Sequence, residues 1–146
     1  MKVIINRSDA IGDTLLTMPM AKFIKDHLPQ SKIVFIISAK SKDLFILHKY
    51  IDETWVLDHK LGIEKKIHFL NQKFKEFNPD AYFHVGGSHV PSFVAWKNRV
   101  KLRGGLQSKW QSFIFLNKAI RQHRSFVAMH ESDYNIMLLR PLGFTY

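Results

Sequence analysis

The sequence predicts a single α/β domain over residues 1–146, built on a doubly wound parallel sheet of Rossmann-like type. Three observations carry that expectation. Short apolar runs alternate with helical periodicities in the order β-α-β-α-β-α-β-α-β. The run Lys32-Ile33-Val34-Phe35-Ile36-Ile37-Ser38 is apolar nearly throughout, as suits a strand covered on both faces. Turn residues at Pro29, Asn78-Pro79-Asp80 and Gly86-Gly87-Ser88 punctuate the segments.

The elements follow in order. Lys2-Val3-Ile4-Ile5-Asn6 is the first strand. The loop Arg7-Ser8-Asp9-Ala10-Ile11-Gly12-Asp13 leads from it into a helix over Thr14 to His27, where Leu15, Leu16, Met20, Phe23 and Ile24 keep a helical spacing. Gly12 supplies a turn that a residue with a Cβ would resist. After the second strand, Ser41 is expected to cap a short helix through Lys42 to Leu47. Thr54-Trp55-Val56-Leu57 is the third strand and ends at Asp58-His59-Lys60. Ile63 to Phe77 carries Ile63, Ile67, Leu70, Phe74 and Phe77 on one stripe, an amphipathic helix.

Ala81-Tyr82-Phe83-His84-Val85 is the fourth strand, released by the Gly-Gly turn into a helix from about Pro91 to Lys97. Arg99 to Gly104 is expected as a fifth strand. Trp110 to Ile120 mixes aromatic and basic residues and has two readings. It either lies on a membrane surface or packs on the sheet edge as a loop and helix; the second is commoner and is the expectation. Glu131 to Leu142 forms the final helix.

Composition narrows the function classes. An apolar fraction of 46% with 23% charged residues excludes a disordered tail. No run approaches the ~20 apolar residues that cross a bilayer, and the first apolar run is too short for a signal peptide. A cytoplasmic location is the default. With no Cys, disulfides, thiolate metal sites and thiol catalysis are excluded. The net charge of +10 is unevenly placed, because Ala81 to His130 holds no acidic residue and eight Lys or Arg. Such a field favours an anionic partner; a solvated basic face is the competing reading.

Several chemistries lack their signatures. There is no G-x-G-x-x-G, no Walker A sequence, no D-x-D and no G-x-S-x-G. The eight His do not form H-E-x-x-H, and His84 and His89 flank a Gly-Gly turn rather than sharing a helix face. A metal site is not expected, and these His are assigned structural or surface roles. Asp13 has two readings: a helix N-cap, or a general base or ligand contact at the first strand-to-helix turn, where α/β folds bind ligands.

Two stretches carry a resemblance. Arg7-Ser8-Asp9-Ala10-Ile11-Gly12-Asp13-Thr14-Leu15-Leu16-Thr17-Met18-Pro19 resembles the opening of glycosyltransferase family 9, the lipopolysaccharide heptosyltransferases. Gly104 to Gly143, with Gly-Gly-Leu-Gln-Ser-Lys-Trp and later Leu-Leu-Arg-Pro-Leu-Gly, is similar to the end of that family's N-terminal half. The resemblance implies a GT-B architecture, in which the N-terminal half binds the sugar acceptor and a C-terminal half binds a nucleotide-sugar such as ADP-heptose. It implies that Asp13 is the base of an inverting transfer. Acceptor contacts would come from Arg7, Ser8, Gly12, Lys60, Lys65, Arg103 and Lys109.

The acceptor so implied is an acidic saccharide or lipid A–core, met at the cytoplasmic face of the inner membrane through peripheral contact. No cofactor is expected, since the donor is a substrate. Its site belongs to a donor-binding half that these residues do not include, so the chain is expected to be inactive alone, as one domain of a longer protein, the product of a truncated gene, or one half of a split enzyme with a separate donor-binding half. A stand-alone basic module for nucleic acid or anionic lipid is the alternative, with nucleic acid the less expected partner.

Overall fold

A computed structural model describes residues 1–9, 14, 17–44, 49–107, 109–120 and 131–143. Strand β1 (Lys2–Arg7) is followed by helix α1 (Met18–His27), β2 (Lys32–Ser38) and a 3-10 turn at Ala39–Leu44. Next come β3 (Glu53–Leu57), α2 (Ile63–Phe77), β4 (Ala81–Gly86), α3 (Val90–Lys97) and β5 (Leu102–Leu106). Helix α4 (Trp110–Phe115), β6 (Lys118–Ile120), α5 (Glu131–Met137) and a 3-10 turn at Arg140–Leu142 complete the order. The six strands form one sheet in the order β3-β2-β1-β4-β5-β6, and every pairing is parallel.

Strand alternation divides the core into two layers. On one face Val3, Ile5, Ile33, Phe35, Ile37, Ala81, Phe83 and Val85 pack with Met20, Ala21 and Ile24 of α1 and with Leu138 and Leu139 after α5. On the other, Ile4, Val34, Ile36, Trp55, Leu57 and Tyr82 meet Leu70 and Phe74 of α2 and Val94 and Ala95 of α3. Each central strand thus buries both its odd and its even residues, which is why β2 is apolar along its length. At the opposite end from the loops, Asp52 accepts bonds from Lys25 Nζ and the Ile33 N–H, both at 2.8 Å, and ties α1 to the β2–β3 connection.

Four expectations need correction. Ser41 lies inside the 3-10 turn that starts at Ala39, so it is not the cap of a following helix; residues 45–48 of that expected helix lie outside the described residues. The fifth strand begins at Leu102 rather than Arg99, because Arg99 adopts a left-handed φ of 56° that no strand tolerates. A sixth strand, β6, follows α4 and pairs with β5. The last helix stops at Met137, and Pro141 falls in a separate 3-10 turn. Helix α2 has the expected bounds, although its first residue, Ile63, is 64% exposed rather than part of the buried stripe.

Candidate functional site

Strand order reverses between β1 and β4, since β1 continues to β2 on one side and β4 to β5 on the other. A parallel sheet opens a crevice outside the carboxyl ends of the strands at such a point. Here that crevice holds about 240 Å³ and is lined by Arg7, Asp9, His84, Gly86, Gly87, His89 and Lys109 among others.

Ser8 ties the crevice together. Its N–H donates to Gly86 O at 3.3 Å, its Oγ accepts from the Ser88 N–H at 3.1 Å, and its carbonyl bonds His59 Nε2 at 2.9 Å. One residue after β1 is therefore fixed by the loops that leave β3 and β4. Gly87 allows this approach: it has a φ of +90°, and a Cβ there would sit 2.5 Å from Ser8 Oγ. Gly105 does the same one strand over, with a φ of +132° and a Cβ position that would collide with the His84 carbonyl oxygen.

Arg7 is buried, pairs with Asp9 at 2.9 Å, and donates from Nη1 to Val85 O at 3.1 Å. Thr14, the next described residue along the loop, donates from Oγ1 to Arg7 O at 3.3 Å. Both described ends of the first loop therefore meet at the carboxyl end of β1.

A buried polar chain lies under the crevice. Asn6 Nδ2 donates to Ser88 O at 2.8 Å, which fixes the orientation of its amide. The same nitrogen approaches Tyr82 Oη at 3.2 Å and His84 Nδ1 at 3.1 Å. An amide nitrogen only donates, so His84 Nδ1 is an acceptor and its proton sits on Nε2. Tyr82 Oη continues the chain to Ser92 Oγ at 2.8 Å. Burial, with smaller repulsion from His89, Arg7 and Lys109, lowers the His84 pKa to about 3. Burial, then Lys109, also pushes His89 down. Burial raises the Tyr82 hydroxyl despite its bonds to Ser92 and Asn6. The network is thus neutral at neutral pH, while the exposed Lys109 supplies positive charge at the rim and the buried Arg7 is balanced by Asp9.

The expected site residues are not all brought together. Arg7 and Lys109 line the crevice, and Ser8 lies buried beneath it, bonded to the loop after β4. Lys60 and Lys65 line a neighbouring shallow hollow between the β3 loop and the start of α2, linked to the crevice through His59. Arg103 lies apart, opposite Tyr82 within the sheet, with Nε on Phe115 O and Nη1 on Val100 O, both at 2.7 Å. Its fork holds the ends of α4 and of the α3–β5 turn. Gly12 and Asp13 lie outside the described residues. Sequence reading missed His89 in the crevice lining and Asn6 and His59 as residues that support it from beneath and beside; the signal available was a polar residue at or just past the carboxyl end of a strand.

A second cavity of about 570 Å³ adjoins the crevice and shares Gly87, His89 and Lys109 with it. Its other walls are mainly apolar: Ile63, Ile67, Val90, Phe93, Trp110 and Phe115. Both hollows together have the size and mixed lining typical of small-molecule sites. Among the described residues no group of three or more His, Cys, Asp or Glu is placed to hold a metal, and no helix is long and apolar enough to cross a membrane.

No family model matches the chain. A Haemophilus influenzae protein described provisionally as a glycosyltransferase is 24% identical over 139 residues, which cover 95% of this chain and 40% of that protein. The crystal structure of a glycosyl transferase family 9 protein from Veillonella parvula superposes with a TM-score of 0.80 at 27% identity, covering 99% of this chain and 41% of that one. The Escherichia coli heptosyltransferase WaaC, solved with ADP, superposes at 0.78 with 14% identity, covering 99% of this chain and 48% of that one. The chain therefore spans less than half the length of each of these proteins. In fold throughout, and in sequence at the level of these matches, it resembles the N-terminal, Rossmann-like half of a glycosyltransferase family 9 protein.

Proposed function

We propose that this chain is the acceptor-binding half of an inverting glycosyltransferase that transfers heptose, or a related sugar, from a nucleotide-sugar such as ADP-heptose to an acidic saccharide of the lipopolysaccharide inner core. One observation supports this above the others: a crevice at the switch point of a family 9-like fold, lined by Arg7 and Lys109 and shaped from below by the buried Ser8. Lys109 and the adjacent Lys60 and Lys65 suit a carboxylate or phosphate on the acceptor. Asp13 acts as base by the resemblance of its Gly-Asp turn. It takes the proton of the acceptor hydroxyl as that oxygen bonds to the anomeric carbon. The bond from that carbon to the nucleotide diphosphate breaks with inversion, and the electron pair leaves with the diphosphate. A donor-binding half supplies the groups that hold that leaving group, and residues 1–146 supply the acceptor side of the reaction.

Titration of the chain with an inner-core oligosaccharide tests the reading. Saturable binding is expected, weakened about tenfold by Lys109→Ala through loss of one charge-assisted contact. Tight, salt-sensitive binding of random duplex DNA with no binding of the saccharide would favour the nucleic-acid module instead.

A further inference from the structure

His84 keeps one polar atom that the fold does not use. The residue stands mid-sheet at the carboxyl end of β4, paired with Asn6 on one side and Gly105 on the other. Only 3% of it is exposed, and it lines the crevice. Nδ1 is taken by the Asn6 amide, which leaves the ring proton on Nε2. Among the described residues Nε2 has no partner. Nor is it sealed away: the buried polar atoms without a partner include Asn6 Oδ1 and His89 Nδ1, but not His84 Nε2. An N–H that is neither bonded nor sealed opens on the space its ring lines.

The ring that carries this N–H is fixed twice. Asn6 sets its tautomer, and Asn6 is itself held by Ser88 O and, through Tyr82, joined to Ser92. His89 stacks on the ring and sets its plane. Packing and the Asn6 bond account for Nδ1 and leave the Nε2–H without a structural purpose. A donor fixed in advance loses little freedom when a ligand meets it. It recognises an oxygen lone pair. An ammonium at the same point offers only further N–H groups, so the donor is left unpaired and the ligand is disfavoured.

We propose that His84 is a specificity-determining residue of the crevice, whose Nε2–H donates to an oxygen of the bound ligand, a sugar hydroxyl or an oxyanion, and selects it against a nitrogen cation. Naming a saccharide as that ligand rests on the acceptor reading; the donor itself does not.

Long-range proton–nitrogen NMR correlations of the histidine-labelled chain test this directly. Free His84 is expected in the Nε2–H form. Titration with the inner-core oligosaccharide should shift its Nε2 signal and saturate with binding. Two variants then separate the ring nitrogens. His84→Asn keeps an acceptor near the Nδ1 position and loses the crevice donor. It should melt near the native chain and bind the saccharide about tenfold more weakly. His84→Gln keeps an N–H near the Nε2 position and loses the acceptor for Asn6, so it should melt lower and bind the saccharide more tightly than His84→Asn does. A purely structural histidine would give the opposite order of affinities. An Nδ1–H form, or native affinity in His84→Asn, overturns the proposal. Inorganic phosphate is titrated in parallel. If phosphate alone binds and moves Nε2, the acceptor reading fails and the crevice donor stands. If the saccharide binds and leaves Nε2 unmoved, the donor fails and that reading stands. A signal that neither titrant moves also overturns the proposal.

Discussion

The imidazoles of His84 and His89 stack face to face, with centroids 4.2 Å apart and an interplanar angle of 22°. Two protonated rings could not hold this arrangement without mutual repulsion. Both are held neutral, His84 by burial above all and then by His89, Arg7 and Lys109.

A pH dependence follows. The unfolded chain takes up a proton at His84 near the ordinary value of 6.5, whereas the folded chain does so only near 3. Within that interval the unfolded state binds more protons, so stability falls as pH drops from about 6.5 toward 3 and is level above it. One such group supplies at most ~1.4 kcal/mol per pH unit. Urea melts of the native chain and of His84→Gln across this range should differ in slope, the variant being flatter. Equal slopes would remove His84 as the source.

Asp13 is tested in a protein completed with a donor-binding half. Asn caps a helix about as well as Asp, and Ala costs about 1 kcal/mol. Asp13→Asn should leave the melting temperature nearly unchanged and lower transfer by roughly 100-fold or more, as loss of a positioned base does. Acceptor affinity should change much less. Near-normal turnover in the Asn variant, with a stability loss in Asp13→Ala, would make the residue a cap.

Arg103 is expected to behave as a structural clamp. Its Nε and Nη1 each reach a main-chain carbonyl at 2.7 Å on different segments. A Lys side chain ends in one point charge and cannot span both. Arg103→Lys should therefore cost about 1–2 kcal/mol in chemical denaturation with little change in acceptor affinity. A tenfold loss of affinity at unchanged stability would return it to the acceptor site.

Among the described glycines Gly105 is the most tightly enclosed. Gly105→Ala should destabilise by about 3 kcal/mol or more, since it combines a φ of +132° with a collision against β4. Gly62, with nothing within 4 Å of its Cβ position, should accept Ala with little change.

The layered sheet was legible because its strands carry unbroken apolar runs and α2 has both a clear stripe and a Pro-containing stop. Strand β6 was not, since Lys118-Ala119-Ile120 is too short to show any period. Arg103 was expected among the acceptor contacts through the family resemblance; only coordinates show carbonyls within reach of its fork. His59 and His89 escaped notice for the opposite reason. Their places beside and in the crevice depend on contacts with Ser8 and His84, 51 and 5 residues away in the chain, and no local pattern encodes such a meeting. The basic and aromatic stretch was read as either lying on a membrane surface or packing on the sheet edge, and α4 packs against α3 and β5.

The open sheet ends at two rims, each of which could template the strand of another molecule. Strand β6 offers only three residues and begins on the exposed Lys118. At the other rim β3 starts on the exposed Glu53, and Glu53, Lys73 and Glu76 share a shallow hollow around Trp55. A second sheet approaching either rim would have to bury a charge before forming its first ladder bond. Strand addition at either rim of the described sheet is therefore disfavoured, and edge-to-edge stacking would require those rims to unfold first.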